Sequence, residues 1–68
     1  MIVKTDTPNI AATWIENLLN TRYTEYAESV DVFVSDDVTV TIEYDELNVL
    51  DEWVQDFQED IREKYFGK

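Results

Sequence analysis

Apolar and polar positions along this 68-residue chain change their period from one segment to the next. Met1 to Thr5 (Met-Ile-Val-Lys-Thr) is β-branched and followed by turn residues, which predicts a short strand. Asp6, Thr7 and Pro8 then read as a helix start. A capping side chain precedes proline at the first helical position, where its missing N–H costs nothing. Ala11, Trp14, Ile15, Leu18 and Leu19 recur at helical spacing, and Tyr23, Tyr26 and Ala27 could extend that face. Asn20 and Thr21 weaken the middle of this helix, which ends near residue 21 or runs to about Glu28. The longer helix is the expectation.

From Val30 to Tyr44 the period becomes two. Val30, Val32 and Val34 alternate with Asp31, Phe33 and Ser35; Val38, Val40, Ile42 and Tyr44 alternate with Thr39, Thr41 and Glu43. Residues that face each other across a hairpin share a sheet face. A two-residue loop at Asp36-Asp37 would set Val34 against Thr39 and part the valines. A three-residue loop, Ser35 to Asp37, pairs Val34 with Val38, Val32 with Val40 and Val30 with Ile42, and places Asp37 in the left-handed region that Asp tolerates. Asp45 or Asn48 is expected to cap a last helix that runs to about Phe66 and stops at Gly67. Its apolar stripe is Leu50, Trp53, Val54, Phe57, Ile61 and Tyr65. Asp51 and Glu52 suit the helix dipole at its start, as Lys64 and Lys68 do at its end.

These elements predict one domain over residues 1–68, a two-layer α+β sandwich in the order β-α-β-β-α. Both helices cover the valine face of a short sheet, and Trp14 and Trp53 belong to the core. The first strand could join either hairpin strand. The opposite sheet face, with Asp31, Phe33, Thr39, Thr41 and Glu43, is expected to be exposed.

Composition narrows the function classes. A chain this short buries only about 60% of its unfolded surface, which leaves no room for a large pocket or a second lobe. With no Cys and no His, disulfides and Cys/His metal sites are excluded, so apolar packing must hold the core. A single Gly, a single Pro and many β-branched and aromatic residues argue against disorder. No apolar run approaches 18 residues and no basic-then-apolar leader is present, so the chain reads as soluble and cytoplasmic.

Charge changes the picture most. The net charge is -11, and the stretch from Tyr23 to Ile61 holds thirteen carboxylates and no Lys, Arg or His. Like charge gathered this way destabilises a compact domain, and a basic partner is the simplest reason to keep it. The same charge disfavours direct binding to nucleic acid or an anionic membrane. On the last helix, Glu52, Asp56, Glu59 and Glu63 fall within a sector of about 60°, flanked by Asp51 and Asp60. A solvated helix face is the plain explanation, but a surface kept only for solubility mixes its signs. Phe33 either packs under the first strand or a terminus, or anchors an interface within an acidic patch. Asp36-Asp37 and Asp45-Glu46 lack the spaced ligands and central glycine of a calcium loop, so no metal or other cofactor is expected. Paired carboxylates without a cleft, and no His or Cys nucleophile system, argue against an enzyme.

A small, cysteine-free, acid-dominated domain that displays Asp and Glu from a hairpin and a helix resembles the DNA-mimic inhibitors encoded by phages and mobile elements, among them anti-restriction and anti-CRISPR proteins. The strand-helix-hairpin-helix order ending in the acidic Leu50–Tyr65 helix also resembles the DinI-like regulators of RecA. Both resemblances are of composition and topology over the whole chain. The first implies a protein that fills a nucleic-acid-binding groove with carboxylates where phosphates would sit. The expected partner is a basic nucleic-acid-binding protein such as a nuclease, a CRISPR effector, a recombinase or a polymerase. The expected contacts are Glu52, Asp56, Glu59, Asp60 and Glu63 on the helix, with Asp36, Asp37 and Glu43 from the hairpin and Phe33 as an apolar anchor. A small interaction module or complex subunit centred on Phe33 is the alternative. An exposed hairpin edge could also pair two copies.

Overall fold

The computed structural model describes residues 1–66. It contains β1 (Ile2–Lys4), α1 (Pro8–Thr21), a 3₁₀ helix (Thr24–Ser29), β2 (Val30–Asp36), β3 (Thr39–Tyr44) and α2 (Asp51–Tyr65). Helices and sheet share one apolar core, so the α+β order expected from the sequence holds. The sheet is antiparallel with order β1-β3-β2, which places the first strand beside β3. Ile42 exchanges two backbone bonds with Met1, at 2.8 and 2.9 Å, and Thr5 N–H donates to the Val38 carbonyl at 2.9 Å. β3 is therefore central, and its Val40 and Ile42 are fully buried.

The hairpin corrects the expected loop. Val34 pairs with Val40, Val32 with Ile42 and Val30 with Tyr44, each two residues further along β3 than expected. The turn is Asp37-Val38, and Ser35 is the extra residue of a bulge between Val34 and Asp36. The bulge restores the parity that a two-residue turn would destroy, so the valines still share the inner face. The Asp36 carboxylate accepts the Val38 N–H at 3.0 Å and holds the turn. No described non-glycine residue has positive φ, so Asp37 is not left-handed.

The first helix is also shorter than expected. It ends at Thr21, and the chain turns through Arg22 and Tyr23 into the 3₁₀ helix. Thr21 Oγ1 donates back to the Asn17 carbonyl at 2.7 Å, as Thr13 Oγ1 does to Asn9 at 3.0 Å inside the helix. The break turns Tyr23 inward to 8% exposure. At the other end Pro8 does occupy the first turn, but neither Asp6 nor Thr7 makes a side-chain cap; the Thr5 hydroxyl accepts the Thr7 N–H at 3.1 Å instead.

α2 starts later than Asp45 or Asn48 would set it. Leu50 is its cap residue, without a side-chain cap bond, and at 63% exposure it leaves the apolar stripe. Asp45 instead closes its own turn, accepting from the Leu47 N–H and the Asn48 side chain. The expected stop at Gly67 lies outside the described residues.

Phe57 sits at the centre of the core with Ile15, Ile42, Ile61, Val3 and Val40. Its ring stacks on Trp53, with planes 8° apart, and meets Tyr23 and Tyr44 edge-on. These large side chains hold α2 over the sheet's inner face. Trp53 is buried as expected, while Trp14 is half-buried against Tyr65. Among the described residues no helix is long and apolar enough to cross a membrane.

Candidate acidic interface

α2 buries Trp53, Phe57 and Ile61, which fixes the rotation of the helix. At 100° per residue the opposite side is then set, and Glu52, Asp56, Glu59 and Glu63 lie there, all exposed. Successive carboxylates are separated by roughly 4.5–6 Å along the axis, from the rise of 1.5 Å per residue. The stripe inferred from spacing is thus a solvent-facing row on a helix anchored by aromatic packing.

Asp60 differs from its neighbours. Its Oδ2 accepts the Tyr23 hydroxyl at 2.6 Å and Arg22 Nη1 at 2.9 Å, and its side chain is only 23% exposed. It ties α2 to the break after α1. Burial first, and then the Asp60 hydrogen bond, push the Tyr23 hydroxyl up to about 12 from 10.0. Asp60 is committed inside the molecule.

The remaining proposed contacts lie elsewhere. Asp36 and Asp37 form the hairpin tip, where the Val38 N–H and then Thr39 hold the Asp36 carboxyl below its usual range. Glu43 and Phe33 lie on the open sheet face, the side that the helices do not cover. Residues nominated as one surface therefore divide between the outer side of α2, the hairpin tip and the back of the sheet. A single flat partner cannot touch all three.

Phe33 is 43% exposed because both helices pack on the other face of the sheet, and β1, which joins beside β3, does not reach it. Ile2, 57% exposed, stands on the same cross-strand row, with Thr41 between them. The sequence did not single out Ile2. Its alternation with buried Val3 points it outward, but its nearness to Phe33 depends on where β1 docks. Ser35 and Thr41 hydroxyls bond to each other beside this row.

None of the four described Lys and Arg side chains forms an ion pair with the α2 stripe, although Arg62 and Lys64 lie on the same helix beside Glu59 and Glu63. Lys4 donates to Thr39 Oγ1 at 3.0 Å, and Arg22 pairs with Asp60. Arg62 donates to Gln58 Oε1 at 3.1 Å, and Lys64 sits over the Trp14 ring at 5.5 Å. Among the described residues, no three carboxylates converge into a group that could hold a metal ion. No family model matches this chain, and no curated protein or solved structure does either.

Proposed function

We propose that this protein is a non-enzymatic binding module that docks the outer side of α2 into a basic groove of a nucleic-acid-binding protein. One observation carries the reading: Glu52, Asp56, Glu59 and Glu63 are exposed on one rigid helix face, and no described Lys or Arg forms an ion pair with them. A groove lined by Lys and Arg to match phosphates would accept such a row through charge-assisted hydrogen bonds. Long-range attraction would steer the encounter and make it salt-sensitive. Occupation of the groove would exclude nucleic acid, which makes the module an inhibitor or regulator of phage-encoded, anti-defence type acting in the cytoplasm. Asp36 and Asp37 add charge at the hairpin tip. Asp60 serves the fold.

The test is capture from a bacterial lysate with the purified protein as bait, washed at low and at high salt, alongside the variant Glu52→Gln, Asp56→Asn, Glu59→Gln, Glu63→Gln. A nucleic-acid-binding protein that is released by salt or added DNA, and absent with the variant, supports the reading. A partner retained at high salt, indifferent to DNA and held equally by the variant refutes it. The exposed Ile2–Phe33 row favours a second reading, an apolar docking face on the back of the sheet. Phe33→Ser would abolish that salt-resistant binding.

A further inference from the structure

β2 is an outer strand, and with seven residues it offers the longer of the two sheet edges. The phase of the ladder shows which backbone groups are free. The Asp45 N–H donates to the Ser29 carbonyl at 2.8 Å, one pair beyond the Val30–Tyr44 pair. Bonded and non-bonded pairs alternate in an antiparallel ladder, so Asp31 and Phe33 turn their backbone groups to β3. Val30, Val32 and Val34 turn theirs outward. The far side of β3 agrees, because Ile42 exchanges both its bonds with Met1. The free edge therefore carries the N–H and C=O of three alternate valines, and the Ser35 bulge ends it.

A groove of about 250 Å³ runs beside this edge, lined by Glu16, Leu19 and Asn20 of α1 and by Val30, Asp31 and Val32. Leu19 and Val30 lie buried beneath it, while most of its open surface is polar. Its charged residues are two carboxylates, Glu16 at the α1 side and Asp31 on the strand, with no cation among the lining residues. Exposed edges of this length invite pairing, and charges on them select what pairs. A second copy would bring another net charge of -11 and set acids beside Asp31.

We propose that β2 accepts an added antiparallel strand from a basic partner protein, an extended segment that alternates apolar and cationic side chains. Residues opposite one another share a face, so the apolar side chains enter the groove over Leu19 and Val32. The cationic ones fall on the Asp31 side, and Glu16 at the groove mouth adds to the attracting field. Main-chain bonds supply affinity and the alternating side chains supply selectivity. This surface is separate from the α2 stripe and does not depend on it.

The probe is an acetylated heptapeptide that alternates lysine and valine, compared with its glutamate–valine counterpart. Amide hydrogen exchange is read by NMR on the intact protein. With the lysine peptide at about ten times its dissociation constant, the Val30, Val32 and Val34 amides should exchange about tenfold more slowly. The glutamate peptide should leave them unchanged. In an antiparallel addition the peptide valine opposite Val32 directs its N–H at β2. N-methylation of the peptide valines should therefore abolish the protection, and N-methylation of its lysines should preserve it. These modifications leave the protein's own fold untouched. No slowing at the three valines, equal slowing by both peptides, or protection that survives valine methylation would each overturn the proposal. So would protection without peptide that rises with protein concentration as the mass doubles, which would assign the edge to a second copy. The α2 charge variant should bind the lysine peptide at the same three amides, so failure of the groove reading and failure of this one remain distinguishable.

Discussion

Replacing Tyr23 with Phe tests whether Asp60 belongs to the fold or to a partner surface. The hydroxyl donates to Asp60 Oδ2 at 2.6 Å, and the tyrosine is 8% exposed. A hydrogen bond to a charged group contributes about 1.5–3 kcal/mol. In Tyr23→Phe the carboxylate keeps Arg22 and some water, since it is 23% exposed, which places the loss at the lower end, about 1.5 kcal/mol. For a domain of this size that lowers the melting temperature by about 6–12 °C, from roughly 4–8 °C per kcal/mol. Arg22→Ala removes a partner that is 65% exposed, so its ion pair contributes about 0.5 kcal/mol or less. Asp60→Ala is the converse case: it leaves the buried hydroxyl without an acceptor and should cost about 1–3 kcal/mol. Thermal and urea melts of the single and double variants would give the Tyr23–Asp60 coupling directly. If Tyr23→Phe falls within about 0.3 kcal/mol of the parent, or costs less than Arg22→Ala, the network assigned here does not hold the fold.

The same hydroxyl gives a pH dependence. Its folded value of about 12 lies above the ordinary 10.0, so its stabilisation is complete below pH 10 and lost as pH rises through 12. The stability gap between the parent and Tyr23→Phe should close over that window; a constant gap would contradict the assignment. Phe57 is fully buried at the centre of the aromatic cluster, and Phe57→Ala should cost about 3–5 kcal/mol, enough to abolish a cooperative melt in a domain this small. Trp53→Phe should cost less than Phe57→Ala in urea melts, because it leaves a smaller void in the aromatic cluster and removes the buried Trp53 Nε1 donor, which has no partner. An equal or larger loss would contradict that. Asp56→Asn, Glu59→Gln and Glu63→Gln together should raise stability at low ionic strength by about 1 kcal/mol, a few tenths per relieved pair. The gain should vanish in 1 M salt, where screening falls to about 3 Å; a loss at low salt would refute the view that the row opposes folding.

The strand faces were legible because alternation fixes parity, and parity survived an error in register. In a regular ladder a two-residue loop at Asp36-Asp37 would put the valines of the two strands on opposite faces. A bulge at Ser35 evades that constraint, and the Asp36 carboxylate held by Val38 N–H makes Asp37-Val38 the turn. Period-two reading has no term for an inserted residue. The end of α1 escapes the pattern for a similar reason. Tyr23 and Tyr26 continue the apolar face at helical spacing, yet Tyr23 reaches Trp53 from the break itself and Tyr26 from the 3₁₀ helix that follows. Spacing reports which residues are buried more securely than it reports the backbone that buries them.

Charge was legible in amount and not in direction. Glu59 and Asp60 are adjacent in sequence and equivalent in composition, but one faces water while the other carries Arg22 and the Tyr23 hydroxyl. What separates them is the rotation of α2 fixed by Trp53, Phe57 and Ile61, together with the chain break that brings Arg22 within reach. Asp31 and Glu16 lie far apart in sequence, and the docking of α1 against the β2 edge sets both beside one groove. An acidic chain can therefore hold three electrostatic environments at once: a row exposed to solvent, a carboxylate spent on the fold, and a groove at a strand edge lined by two acids. A test that neutralises all the acids together would merge these roles. Variants confined to one face at a time keep them apart, because the α2 row, Asp60 and the β2 edge share no direct hydrogen bond or salt bridge.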